Sequence, residues 1–150
     1  MQNEEIKEYI ISQEPEAKFD ETGEWLNVII NPLSWRLLAE KLKNADLQLD
    51  YLFCLTCIDW KTHLTMVYHL TSTKYRHSIV IKTDINRIAP QIETVSDIWR
   101  TAEFHEREVF ELFGVEFLHH PDLRKLILTD DFEGYPLRKD FEDPINMIKL

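Results

Sequence analysis

Apolar residues return at helical spacing in EEIKEYIISQEP, at Ile6, Tyr9, Ile10 and Ile11, which predicts a short amphipathic helix that stops near Pro15. The next stretch, AKFDETGEWLNVII, reads as two strands about a turn at Gly23, the second rich in β-branched residues, and so as a hairpin. Asn31 and Pro32 then supply an N-cap and a first-turn proline, and Leu33, Leu37, Leu38 and Leu42 mark a second helix ending near Asn44. Three runs rich in Val, Ile, Thr and Tyr follow at residues 51–60, 63–70 and 76–83, which suggests a meander added to the hairpin. Residues 84–96 are less regular, with Pro90 limiting any helix there. Ser96 is the expected N-cap of a third helix, residues 97–113, closed by Gly114.

This order predicts an α+β fold: two layers, with a mixed or antiparallel five-stranded sheet, helices on one side and an extended C-terminal tail. Length predicts one domain, with a core over residues 1–125 and a turn-rich tail over residues 126–150.

The third helix carries a conflict between pattern and chemistry. Trp99, Ala102, Val109, Phe110 and Phe113 fall on one stripe, and Glu106 falls at its middle. A buried carboxylate costs several kcal/mol unless it is paired or protonated, so a basic partner is expected from Arg124 or Arg138. The other reading places Glu106 at a water-reached seam between helix and tail. Arg107 is spaced for i,i+4 pairs with Glu103 and Glu111. Phe104, Glu108 and Leu112 occupy the other face, so the tail is expected to cover part of this helix and a partner protein the rest.

Charge narrows the function. With 27 acids against 17 bases the net charge is -10, which lacks the basic footprint of nucleic-acid binding. No apolar run approaches the roughly 20 residues that span a bilayer, and the N-terminus lacks the charged start and apolar centre of a signal peptide. A cytoplasmic, soluble chain is expected. Cys54 and Cys57 form C-L-T-C inside a strand-like run, where buried core thiols are expected rather than a redox or metal pair.

Catalytic motifs are incomplete. His105-Glu106 opens like a zinc-protease helix, but Val109 stands where the second histidine is needed. Glu116 and His119 give one Glu-x-x-His spacing, whereas a di-iron site needs two. His119 and His120 read as turn histidines bonded to carbonyls or carboxylates. The glycines, at positions 23, 114 and 134, are too scattered for a phosphate loop. In FEGYPLRKDF, aromatic and basic residues alternate around a Gly/Pro turn, a pattern suited either to an interface or to a tail folded over its own domain.

The run EREVFELFGVEFLHHPDLRKLIL, followed by DFEGYPLRKDF, resembles the C subunit of proton-translocating NADH:quinone oxidoreductase, respiratory complex I. The resemblance extends back through Ile98-Trp99, Val67-Tyr68-His69-Leu70 and Asp59-Trp60. It places the family's characteristic positions on Glu106, Arg107, Glu108, Glu111, His120, Arg124, Arg138, Lys139 and Asp140, as partner-contact candidates with no catalytic or metal role. Phe104 and Phe132 stand where Trp is common, Glu111 where Asp is common, and His119 where Gly commonly precedes the His-Pro pair.

The resemblance implies a non-catalytic subunit of the peripheral arm, near the quinone-binding D subunit and the iron–sulfur subunits. NAD, FMN, iron–sulfur clusters and quinone would be bound by those partners and none by this chain. Membrane association would run through the complex alone, at the cytoplasmic face. Relatives in membrane-bound hydrogenases and in ferredoxin- or quinone-linked dehydrogenases leave the electron donor open. A free-standing metal-dependent enzyme is the contrasting reading.

Overall fold

A computed structural model describes residues 2–143 and 145 of the chain. Three helices, α1 (Asn3–Gln13), α2 (Pro32–Asn44) and α3 (Ala102–Phe113), accompany strands β1 (Lys18–Asp20), β2 (Leu26–Ile30), β3 (Tyr51–Asp59), β4 (Leu64–Thr71) and β5 (Ser78–Ile85). These strands form one sheet in the order β1-β2-β5-β4-β3. The meander and hairpin are antiparallel, but β2 joins β5 in parallel, which makes the five-stranded sheet mixed.

The core follows the period-two pattern of the strands. Leu26, Val28 and Ile30 of β2, Met66, Tyr68 and Leu70 of β4, and Ile79 and Ile81 of β5 meet Ile6, Ile10, Trp35, Leu38, Val109 and Phe113 from the helices. Trp35 is central, packed 4.7 Å from the Tyr68 ring and 6.1 Å from Trp99. Ile11, placed on the apolar stripe of α1 by sequence, is 47% exposed, and only Ile6 and Ile10 bury fully.

Helix α2 begins as its sequence predicts. Asn31 has extended backbone, and its side chain accepts the Leu33 N–H at 2.9 Å ahead of Pro32. Asn31→Ala is expected to lower stability by about 1 kcal/mol, the usual loss of an N-cap. Chemical denaturation checks this, and an unchanged midpoint would dismiss the cap as a contributor.

Two expectations need correction. Helix α3 does not start at residue 97, and Ser96 is not its cap. Residues 96–101 form turns, with Ile98 and Trp99 N–H both donating to the Val95 carbonyl. The Trp99 indole donates to the Leu49 carbonyl at 2.8 Å and pins this segment to the core before the helix begins at Ala102. Residues 84–96 are also more regular than they read. Within them β6 (Gln91–Glu93) pairs in parallel with β7 (Glu116–Leu118), forming a second, two-stranded sheet.

Gly114 closes α3 as expected, with φ 80. A Cβ at this position would meet Tyr135 of the arm at 2.7 Å, so glycine serves both the left-handed turn and the close approach of the chain that follows. After β7 the described residues carry no further helix or strand. They form the irregular arm expected of the tail, and Pro144 and residues 146–150 of that expectation lie outside the described residues.

Candidate functional site

Three charged residues of α3 are used inward. Glu106 is fully buried, Glu111 is 1% exposed and Arg107 is 5% exposed. None of the three makes the ion pair that the sequence suggests.

Glu106 meets neither Arg124 nor Arg138. Its carboxyl accepts the Thr94 hydroxyl at 2.6 Å and the Val95 N–H at 2.8 Å, and its Oε2 lies 4.0 Å from Nε2 of His120. Loop residues before α3 thus solve the desolvation problem, a solution that helical spacing cannot reveal. Burial pushes the carboxyl up to about 7, against the pull of the Thr94 and Val95 hydrogen bonds.

Arg107 and Glu111 lie one helical turn apart and hold one segment of the arm by its backbone. The guanidinium donates to the carbonyls of Arg124 and Lys125, each at 3.0 Å. The Glu111 carboxylate accepts N–H groups from Leu126 at 2.8 Å, Ile127 at 3.0 Å and Leu128 at 3.1 Å. Two side chains therefore grip a run of five successive residues.

A second clasp has no counterpart in the local sequence pattern. Asp59, at the end of β3, is 2% exposed and receives Arg87 at 2.7 and 2.8 Å in a two-pronged pair. It also accepts the N–H of Lys61 and of Lys139, both at 2.8 Å, and Asp140 lies 3.2 Å from the same arginine. The Asp59-Trp60 pair shares in the family resemblance, but nothing local in sequence connects it to residues 80 positions downstream.

The other candidates have separate places. Arg138 donates to the Phe113 carbonyl at 2.6 Å, a cation at the C-terminus of α3, with its guanidinium 5.2 Å from the centre of the Tyr135 ring. Arg124 is exposed and pairs with Asp122 at 3.0 Å. Glu108 is half-buried beside Thr101, Phe104, His105 and Leu126. Lys139 contributes its backbone to the Asp59 clasp.

His120 is held by both ring nitrogens, Nε2 to the Glu103 carbonyl and Nδ1 to the Asp122 N–H, each at 3.0 Å. His119 adopts φ 65, the left-handed region that favours glycine. This is the position at which the family resemblance commonly has Gly. Cys57 is buried among core residues, and burial pushes its thiol up to about 12. Among the described residues no group of three or more His, Cys, Asp or Glu gathers as a metal site, and no helix is long and apolar enough to cross a membrane.

The fold and the clasps together define an α+β domain whose buried charges organise an irregular C-terminal arm across one helix. The chain belongs to the family of the respiratory-chain NADH dehydrogenase 30 Kd subunit, whose model matches residues 28–145. The match takes in the sheet from β2 onward, α3 and both clasps.

The chain is 46% identical over 120 residues to the C/D subunit of NADH-quinone oxidoreductase from Phocaeicola vulgatus, covering 75% of this chain and 23% of that protein. It is 35% identical over 112 residues to the C subunit of NADH-quinone oxidoreductase from Chloroherpeton thalassium, covering 73% of this chain and 47% of the relative. The matched region is thus less than half of either relative.

A trypsin-resistant fragment of Nqo5 has the same fold, with a TM-score of 0.73 at 24% identity, over 82% of this chain and all of that fragment. A protein in the structure of the membrane-bound sulfane sulfur reductase, an archaeal respiratory membrane complex, gives a TM-score of 0.76 at 29% identity, over 93% of this chain and 85% of its own length.

Proposed function

We propose that this chain is a structural and assembly subunit in the peripheral arm of an NADH:quinone oxidoreductase of the complex I type, with no catalytic group of its own. In this reading it supports electron transfer from NADH to quinone, coupled to proton translocation, by positioning subunits that carry the cofactors. NAD, FMN, iron–sulfur clusters and quinone belong to those neighbours, among them the quinone-binding D subunit and the iron–sulfur subunits. The chain reaches the cytoplasmic face of the membrane only through the complex.

The observation that carries the proposal is the inward use of charge. Glu106 is engaged by the loop before α3, and Arg107, Glu111 and Asp59 hold the backbone of an arm whose outer side chains are left for contact. On that arm Ile127 is 76% exposed and Leu137 is 54% exposed. Apolar side chains held outward on a fixed backbone suit a partner surface. The family match and the C/D name of the Phocaeicola vulgatus relative support the D subunit as the neighbour. The likeness to a protein of the sulfane sulfur reductase complex favours a second reading, an equivalent subunit of another respiratory membrane complex with a different electron donor or acceptor.

Affinity purification of the tagged chain from detergent-solubilised native membranes tests this directly. Quinone-binding and iron–sulfur subunits are expected to co-purify, and the donor-side subunits present separate the two readings. Leu137→Asp and Ile127→Asp are each expected to reduce partner recovery about tenfold or more, the scale of a lost interface anchor, while leaving the thermal midpoint of the isolated chain unchanged. Full recovery of partners with both variants would remove the arm as the docking element.

A further inference from the structure

A carboxyl group sealed from water exchanges its proton only through neighbours able to pass one along. Glu106 has two such neighbours in series. Its Oε2 lies 2.6 Å from Thr94 Oγ1, which in turn lies 2.8 Å from Ser96 Oγ. Thr94 and Ser96 line an open cleft of about 680 Å³ bordered by Arg36, Asp97, Arg100 and Glu103.

Each hydroxyl both donates and accepts, so the pair can be polarised in either direction. With Glu106 ionised, Ser96 donates to Thr94 and Thr94 donates to the carboxylate, while Thr94 Oγ1 also accepts the Ser96 N–H at 3.1 Å. With Glu106 protonated, its O–H donates to Thr94 and Thr94 donates to Ser96, and the Ser96 N–H keeps its acceptor. Neither state loses a hydrogen bond between these groups.

We propose that Glu106 is a buried proton-binding site, loaded from the cleft through the hydroxyls of Ser96 and Thr94. One proton enters at Ser96 Oγ, the proton already there passes to Thr94 Oγ1, and that of Thr94 passes to Glu106 Oε2. Only the carboxylate changes charge.

The surroundings assign the proton to Glu106. His120 is engaged at both ring nitrogens, Nε2 with the Glu103 carbonyl and Nδ1 with the Asp122 N–H, so neither is free to take the place of the hydroxyls beside Glu106. From β4 the Tyr68 hydroxyl, and from α2 the Trp35 indole N–H, are buried beside this region and lie close to one another. Arg36 of α2 favours the carboxylate, Asp97 of the preceding loop opposes it, and Arg107 on α3 is committed to the arm. Burial outweighs these influences and holds the carboxyl near 7. The site adjoins the root of the arm at His119 and His120, so loading it removes a charge 4.0 Å from the buried imidazole.

Infrared titration of the full chain tests the site. A protonated-carboxyl band is expected to disappear with a midpoint near pH 7, to be missing in Glu106→Gln, and to titrate at higher pH in Thr94→Val, which removes a donor to the carboxylate. Ser96→Ala should keep the midpoint but slow loading after a pH jump by roughly tenfold or more, the scale of a lost proton-transfer partner. Absence of a Glu106-dependent band between about pH 5 and pH 9 overturns the site. An unchanged loading rate in Ser96→Ala overturns the relay. If Glu106→Gln does not fold, Glu106→Asp identifies the band through a displaced midpoint, and a midpoint identical to wild type overturns the assignment.

Discussion

Glu111→Ala is expected to free residues 124–128 from α3 and to lower stability by about 3 kcal/mol, because one truncation leaves three amide donors without their acceptor. The sum is kept below three full penalties because Leu126 and Ile127 are exposed residues, and once released their segment can turn its amides to water. Arg107 still grips the carbonyls of Arg124 and Lys125, so the arm should loosen without detaching along its whole length. Hydrogen exchange at the amides of residues 126–128 should accelerate in step with the fall in denaturation midpoint, and trypsin should cut sooner after Arg124 and Lys125. Unaltered protection at those three amides would refute the clasp.

The pH dependence has a definite sign. Burial raises the Glu111 carboxyl, but the three amides and Arg107 outweigh it, and the net shift is downward from 4.5. The stabilisation is therefore complete above the unfolded value and is lost as pH falls through the lower folded one.

Asp59→Ala should have an effect of similar size, because Arg87 loses its two-pronged carboxylate partner and is left with the Asp140 contact at 3.2 Å. Three chain segments lose their common anchor at once: the turn at Lys61, the loop at Arg87 and the arm at Lys139. Thermal denaturation measures the loss. Replacing both partners, as in Asp59→Leu with Arg87→Met, should recover part of it, since the cost of a broken buried pair lies in the charge left behind. A double variant no better than Asp59→Ala would show that packing, not charge, accounts for the loss. The Arg87 contact outweighs burial and holds the Asp59 carboxyl well below 3.8, so its stabilisation is full above that value and is lost only as pH falls through the much lower folded one.

How much of this arrangement is legible in the sequence depends on the range of the signal. Asn31 with Pro32, the β-branched strands and Gly114 act within a few residues, and the structure places a cap, a mixed sheet and a helix end where they indicate. The start of α3 departs from its local signal because Ser96 and Asp97 resemble a helix N-terminus, whereas Trp99 is held by Leu49 across the core. The apolar stripe correctly turns Glu106 inward. It cannot name the partners, because Thr94 and Val95 come from a loop. Arg107 and Glu111 have the spacing of a surface ion pair, yet both reach peptide groups of the arm, and spacing along a helix carries no information about backbone arriving from elsewhere. The Asp59 clasp joins residues 28 and 80 positions apart and is invisible for the same reason.

A grip that reads only peptide groups is indifferent to the side chains it carries. Arg124, Leu126 and Ile127 can change their outward chemistry without leaving their path, whereas the Lys125 ammonium also holds the Thr129, Asp130 and Phe132 carbonyls; one letter is forbidden at Leu126, Ile127 and Leu128: proline, which has no N–H to give Glu111. Ile127→Ser should leave the hydrogen exchange of its neighbours unchanged, and Ile127→Pro should accelerate it at Leu126 and Leu128. The fold thereby separates where the arm runs from what it displays, and a lineage can remake its neighbour-facing surface without redesigning the helix beneath.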